Sequence, residues 1–390
     1  MSAAEAFEVI AVVGATGTGK SMLADALACT LQGEVISADS MQVYRGMDIG
    51  TAKVPPSKRS VPYHCLDLVE PDLAFTAALY QRAARTAIED ILKRQRLPIV
   101  CGGTGLYVRA ALDDFFLDEQ REFSLSAEKE DSLSVVQLDP CPSSTTPLDP
   151  YPTPTTPLDP CPTPTTPLDP YPTPTTPLDP YPTSTTPLDP HALLRTQLFE
   201  QAKTIGNKAF HDILAARDPL SAALIHPNNV RRVVRAFELL EEGTTYAAQH
   251  EGFLEYRAFY STRYLGIKVA PAVLYEAIDR RVDELIATGL LDEVRLLVAQ
   301  GYRDAPGFSQ AIGYKELLGV LDGTDELDCA VDRIKQATRR YAKRQRTWFK
   351  RDARIRWIEA TDLHEALLAR ALESDEFARQ LLARALDMLL

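Results

Sequence analysis

The chain has 390 residues, 45% of them hydrophobic and 25% charged, with a formal net charge of −12; this fits a globular protein with one large or two modest cores. The apolar runs Val9–Val13 and Leu97–Cys101 are far too short to span a membrane. The first thirteen residues hold two glutamates and no Lys or Arg, unlike a secretory signal, so a cytoplasmic protein with no membrane contact is expected.

In chain order, residues 7–13 read as a buried strand and 20–32 as a helix with Met22, Leu23, Ala26, Leu27 and Leu31 inward. Residues 34–37 read as a second strand, 76–94 as a helix, and 97–101 as a third strand ending in Gly102-Gly103. Strands alternating with helices predict an α/β fold with an open, mostly parallel sheet.

Between Leu138 and Pro190 the tripeptide Leu-Asp-Pro recurs six times with a period of ten, separated by Thr- and Pro-rich text. Proline at that density excludes helix and sheet interiors. One leucine per ten residues cannot offset the entropy of ordering, so residues 138–190 are expected to be a disordered insertion.

Beyond it the pattern turns helical: 191–204, 207–216, a helix capped by Asn228 or Asn229 and ending near 242, then 271–287, 290–300, 309–321 and 325–352. Strands are expected at 263–269 and 355–358, with a last amphipathic helix from Leu363. This gives a core begun by 1–117, a small helical lobe at 118–242 carrying the Pro-rich repeat, and a core completed by 243–390 with basic C-terminal helices.

Gly14-Ala15-Thr16-Gly17-Thr18-Gly19-Lys20-Ser21 is a phosphate loop (P-loop), the G-x-x-x-x-G-K-[ST] motif of ATP-binding proteins, placed between a strand and a helix as the motif requires. Its backbone N–H groups curl round a phosphate at a helix N-terminus; Lys20 reaches an outer phosphate and the Ser21 hydroxyl ligates Mg²⁺. A P-loop ATPase also has a second strand ending in an acid. Here the third strand ends in Gly102-Gly103-Thr104-Gly105 with no carboxylate, and the nearest acid is Asp39, after the second strand. That edge of an open sheet faces the ligand crevice, where Asp39 is suited to be a metal ligand or general base, or else a helix cap. Thr104 is placed either to meet a leaving oxygen or to cap a helix. Arg280 and Arg281 can reach phosphate or form a solvated face.

The six cysteines are scattered with no C-x-x-C pair, so no zinc site is expected. The acidic total hides a basic segment: residues 330–357 hold eleven Lys/Arg against two acids, interleaved with Tyr341, Trp348, Phe349 and Trp357. Bases beside aromatic faces suit RNA; a basic amphipathic helix packed by its aromatics is the alternative. Arg231, Arg232 and Arg235 form a second cluster.

The strings Asp39-Ser40-Met41-Gln42-Val43-Tyr44, Asp48-Ile49-Gly50-Thr51-Ala52-Lys53 and Gly102-Gly103-Thr104-Gly105-Leu106-Tyr107 resemble signature blocks of tRNA dimethylallyltransferases. So do His226-Pro227-Asn228-Asn229 with the arginines after it, Ala311–Glu316, and Arg339–Phe349, all in family order over 8–117 and 191–360. The resemblance implies transfer of a dimethylallyl group from its diphosphate to the exocyclic amine of adenosine 37, 3′ of the anticodon, in tRNAs reading codons that begin with uridine. It implies Asp39 as general base, Thr104 on the bridging oxygen, and the P-loop (Gly14 to Ser21) with Arg281 on the diphosphate. It further implies Mg²⁺ at Ser21, and tRNA contacts from Asp39, Ser40, Met41 and Gln42 and from Arg231, Arg232 and Arg235. The partners are then the tRNA anticodon stem-loop and dimethylallyl diphosphate, and a monomer is expected. The absence of zinc-finger cysteines fits a bacterial-type member. An adenylate isopentenyltransferase, a P-loop small-molecule kinase and a non-catalytic RNA-binding protein are the competing readings.

Overall fold

A computed structural model describes residues 7–114 and 192–389; the 138–190 repeat lies outside the described residues. They divide into two units, one formed by the first part and by residues 258 onward, the other by residues up to Arg257.

The first unit is built on six parallel strands in the order β3-β2-β4-β1-β5-β6. These are β1 (Val9–Gly14), β2 (Gly33–Ser37), β3 (Tyr63–His64), β4 (Leu97–Gly102), β5 (Thr262–Lys268) and β6 (Ile355–Glu359). β1 is buried along its whole length, as a strand covered on both faces must be. Val9, Ala11 and Val13 point to one apolar layer and Ile10 and Val12 to the other, the alternation that a pleated strand imposes.

The first layer is closed by α2 (Ala77–Lys93) and α3 (Gly105–Leu112), and by the helices that supply Val282, Leu317 and Ile334. The second is closed by α1 (Lys20–Thr30) and by the chain's last helices, through Leu363, Phe377 and Leu381. Each fully buried Leu or Ile contributes about 1.5–3 kcal/mol. The buried face of α1 is Leu23, Ala24, Leu27 and Ala28, so the inner face is turned from the one expected: Met22, Ala26 and Leu31 are only half-buried.

Register fixes the functional edge. Val13 pairs with Gly102 and Ser37 with Cys101, so β1, β2 and β4 end level with one another. The P-loop, Asp39 and Thr104 all leave from those three ends.

The second unit is helical: α4 (Ala192–Ile205), α5 (Asn207–Arg217), α6 (Pro219–Leu224), α7 (Val230–Glu241) and α8 (Tyr246–Leu254). Phe210, Leu214, Val233 and Phe237 form its core. Asp218 caps α6 by accepting the Ser221 N–H at 3.0 Å, and Asn229 caps α7 by accepting that of Arg232. The unit continues past residue 242, where the sequence pattern ended the lobe. The Ser221 hydroxyl accepts the Ala247 N–H at 2.9 Å and so ties α8 to α6.

The first unit resumes with α9 (Pro271–Ala287), α10 (Leu290–Ala299), α11 (Pro306–Gln310), α12 (Tyr314–Leu321), α13 (Leu327–Phe349), α14 (Thr361–Leu368) and α15 (Ser374–Leu389). The helix expected at 309–321 is two helices, broken before Gly313, whose φ of 101° no helix accommodates. The expected last helix is likewise two, separated near Arg370 at φ 56°. No helix among the described residues is long and apolar enough to cross a membrane.

Candidate active site

Gly14 ends β1 at φ 148°, and Gly17 and Gly19 have φ of 82° and 85°. These left-handed conformations are open to glycine at no steric cost and let the loop curl back on itself. Within the curl the Thr18 hydroxyl and the Lys20 ammonium both donate to the Ala15 carbonyl, at 2.9 and 2.7 Å. The loop is backed by the chain's C-terminal elements. His364 places Nε2 3.2 Å from the Gly17 carbonyl, and Phe377 packs so closely that a Cβ on Gly19 would stand 2.8 Å from its ring.

Asp39 follows β2. Its Oδ1 accepts the Met41 N–H at 2.9 Å, so the carboxylate caps its own turn and is still presented at the sheet edge. Burial raises its pKa, and the Met41 N–H, Lys20 and Arg281 oppose that rise. Burial likewise lowers Lys20, to about 8, with Asp39 opposing and Arg281 reinforcing the shift. Arg281 is itself held down by burial. Two cations and one carboxylate thus share a poorly solvated space, the setting in which charge is stabilised by fixed partners. Arg280, by contrast, turns outward to Glu284 at 3.4 Å and the Leu368 carbonyl.

Thr104 stands between these groups and the next helix. Its Oγ1 accepts the Ser40 N–H at 3.1 Å and lies 3.4 Å from the Ser40 hydroxyl. It does not cap α3 with its side chain, and it lines the cavity beside Ser40. Ser37 donates to Gln42 Oε1 at 2.8 Å, and Gln42 Nε2 reaches the Thr51 carbonyl at 3.1 Å, which holds the Asp39–Gln42 turn against the next loop. A cavity of about 370 Å³ opens beside Ser40 and Thr104, walled by Met41, Tyr44, Phe75 and Tyr107.

Two groups were missed by motif reading. Cys101 lies one residue before the end of β4; burial pushes its thiol up to about 12, and it lies in hydrogen-bonding contact with Ser21. Gln345, from α13, accepts the Thr16 N–H at 2.8 Å and donates to the Gly103 carbonyl at 2.9 Å.

Nine of the eleven cations of the basic segment fall into two groups. Arg333, Lys335, Arg339 and Arg354 are held in ion pairs with Asp325, Asp283, Asp279 and Asp113. Arg340, Lys343, Arg344, Lys350 and Arg351 are exposed and make no ion pair among the described residues. The aromatics pack inward: Phe349 is core, Trp348 lies on Gly105, and Trp357 covers Gly266. They are not an open stacking face. In the second unit Arg231 and Arg232 are exposed, whereas Arg235 is paired with Glu238 and Glu242, each at 3.1 Å.

A parallel sheet with a P-loop after β1, Asp39 after β2 and no acid at the end of β4 defines a P-loop α/β protein. A model of the IPP transferase family matches residues 42–140 and 178–352. A tRNA dimethylallyltransferase of Geobacillus thermodenitrificans is 39% identical over 357 residues, 91% of each chain. The full-length tRNA isopentenylpyrophosphate transferase of Bacillus halodurans superposes with a TM-score of 0.56 at 32% identity, over 98% of this chain and 97% of that one. A eukaryotic dimethylallyltransferase acting on tRNA superposes with a TM-score of 0.63 at 25% identity, over 93% and 76%. The chain belongs to the IPP transferase family.

Proposed function

We propose that this enzyme transfers a dimethylallyl group from dimethylallyl diphosphate to the exocyclic amine of adenosine 37, 3′ of the anticodon, in tRNAs reading codons that begin with uridine. The observation that carries the reading is the gathering of the half-buried Asp39, Lys20 and Arg281 at the P-loop edge, where the charges act on one another. The P-loop and the two cations hold the diphosphate. The amine nitrogen attacks the allylic carbon, the carbon–oxygen bond to diphosphate breaks, and the amine proton passes to Asp39.

An arylamine is a weak nucleophile, so proton removal, leaving-group stabilisation and positioning must act together. Asp39 supplies the first; its burial-raised pKa makes it a stronger base than an exposed carboxylate. Lys20 and Arg281 supply the second. In this reading the Thr104 hydroxyl donates to the bridging oxygen, and Ser40, Met41 and Gln42 meet the adenine, which must leave its stack to be reached.

Mg²⁺ takes few protein ligands and completes its shell with phosphate oxygens and water. The Ser21 hydroxyl fits that role, and among the described residues no group of three His, Cys, Asp or Glu offers an all-protein site. When bound, the ion would neutralise charge on the departing diphosphate. The exposed cations of α13, with Arg231, Arg232 and Arg235, are read as contacts to tRNA phosphates, in a cytoplasmic enzyme acting as a monomer.

Incubation with radiolabelled dimethylallyl diphosphate, Mg²⁺ and unmodified tRNA, with AMP and ATP as parallel acceptors, tests the reading. Label should enter tRNA. Label in AMP or ATP alone would make this a free-nucleotide enzyme.

A further inference from the structure

Tyr341, Gln345 and Trp348 lie on one stripe of α13, spaced four and three residues apart, the spacing that stacks side chains on one helical face. That stripe rests on the P-loop and on the Gly102–Gly105 turn. Tyr341 hydrogen-bonds with Thr104 and Gln345, and Trp348 covers Gly105. Gln345, almost fully buried, accepts the Thr16 N–H at 2.8 Å and donates to the Gly103 carbonyl at 2.9 Å. A Cβ on Gly103 would stand 2.2 Å from Gln345 Nε2, so this amide is as near the backbone as glycine permits.

We propose that Gln345 is a positioning residue for the transfer, its amide setting the spacing between the diphosphate loop and the turn that carries Thr104. The inference rests on the reading of the P-loop as the donor site. The two segments serve two parts of one leaving group, since one holds the diphosphate and the other meets its bridging oxygen. An amide accepts at one end and donates at the other, whereas a carboxylate can satisfy Thr16 but sets an oxygen against the Gly103 carbonyl. An apolar side chain satisfies neither and takes the partner from a part-buried N–H and a buried C=O.

The test uses the full chain as wild type, Gln345→Glu and Gln345→Leu. It measures binding of inorganic pyrophosphate, kcat and KM on unmodified tRNA, the thermal midpoint, and amide exchange at Thr16. Gln345→Glu should bind pyrophosphate within about threefold of wild type and keep Thr16 protected, while kcat falls about tenfold to a hundredfold, the scale of a misplaced reacting group. Gln345→Leu should lose Thr16 protection and pyrophosphate affinity as well. Wild-type kcat in Gln345→Glu overturns the proposal. So does a loss of kcat, pyrophosphate affinity and thermal midpoint in the same proportion in both variants. A wild type that neither binds pyrophosphate nor transfers would refute the donor-site reading, and the Thr16 exchange would still decide the strut: protection in wild type but not in Gln345→Leu supports it, and equal exchange in the two overturns it.

Discussion

The indole of Trp348 lies so close to Gly105 that a Cβ built there would stand 1.9 Å from Nε1. The turn that carries Thr104 is therefore pressed against the basic helix, and its glycine is a matter of space. Gly105→Ala should lower stability by about 1–3 kcal/mol through overpacking and reduce transfer, because Thr104 moves with the backbone. Chemical denaturation and steady-state kinetics would show it, and unchanged values of both would contradict the packing account.

Much of this site was legible in local strings, since the P-loop glycines, Lys20 and Asp39 each sit within a few residues of the strand end that positions them. Arg281 was distinguishable from Arg280 only by resemblance; the structure separates them by the face of α9 they occupy. Gln345 lay within the Arg339–Phe349 block but showed no role of its own, because its contact with Thr16 spans 329 positions and a glutamine between arginines reads as solvated. β3, at two residues, is too short to show a period. The basic segment read as a single footprint of eleven cations, but four of them are spent on ion pairs whose partners lie elsewhere in the sequence.

The five exposed cations between Arg340 and Arg351, on α13 and just past its end, predict a salt-dependent grip on tRNA. Affinity should fall by about 0.7–0.9 log units per contacted phosphate for each log unit of salt. Lys343→Ala with Arg344→Ala should reduce that slope, measured by filter binding, by about two contacts' worth. An unchanged slope would remove this face from the interface.

Glu34 predicts an acid-labile fold. Burial opposes its charge, but hydrogen bonds from His64 and Arg94 outweigh burial and bring it down from 4.5 to about 2. Its stabilisation is therefore complete above about pH 4.5 and is lost as pH falls toward about 2. Because Arg94 is partly exposed, the contribution is about 2 kcal/mol. Glu34→Gln should show that deficit in urea denaturation at neutral pH and a smaller one in acid; a deficit that grows in acid would contradict the sign.

The charges around Asp39 predict where the acid limb of the transfer rate falls. Burial sets it above the ordinary 3.8, since the carboxylate must be ionised to accept a proton. Lys20 pulls the same group down, so Lys20→Met should move the limb to higher pH while lowering the rate. A limb that stays in place would mean that another group titrates.

The most direct test of the account is single-turnover transfer by Asp39→Ala beside its equilibrium affinity for tRNA. Loss of a positioned general base should lower the rate by about 10²–10⁴-fold, with tRNA affinity within about threefold of wild type and pyrophosphate still bound. Transfer at the wild-type rate, or a loss of rate matched by an equal loss of tRNA binding, would contradict the assignment of Asp39 as the base.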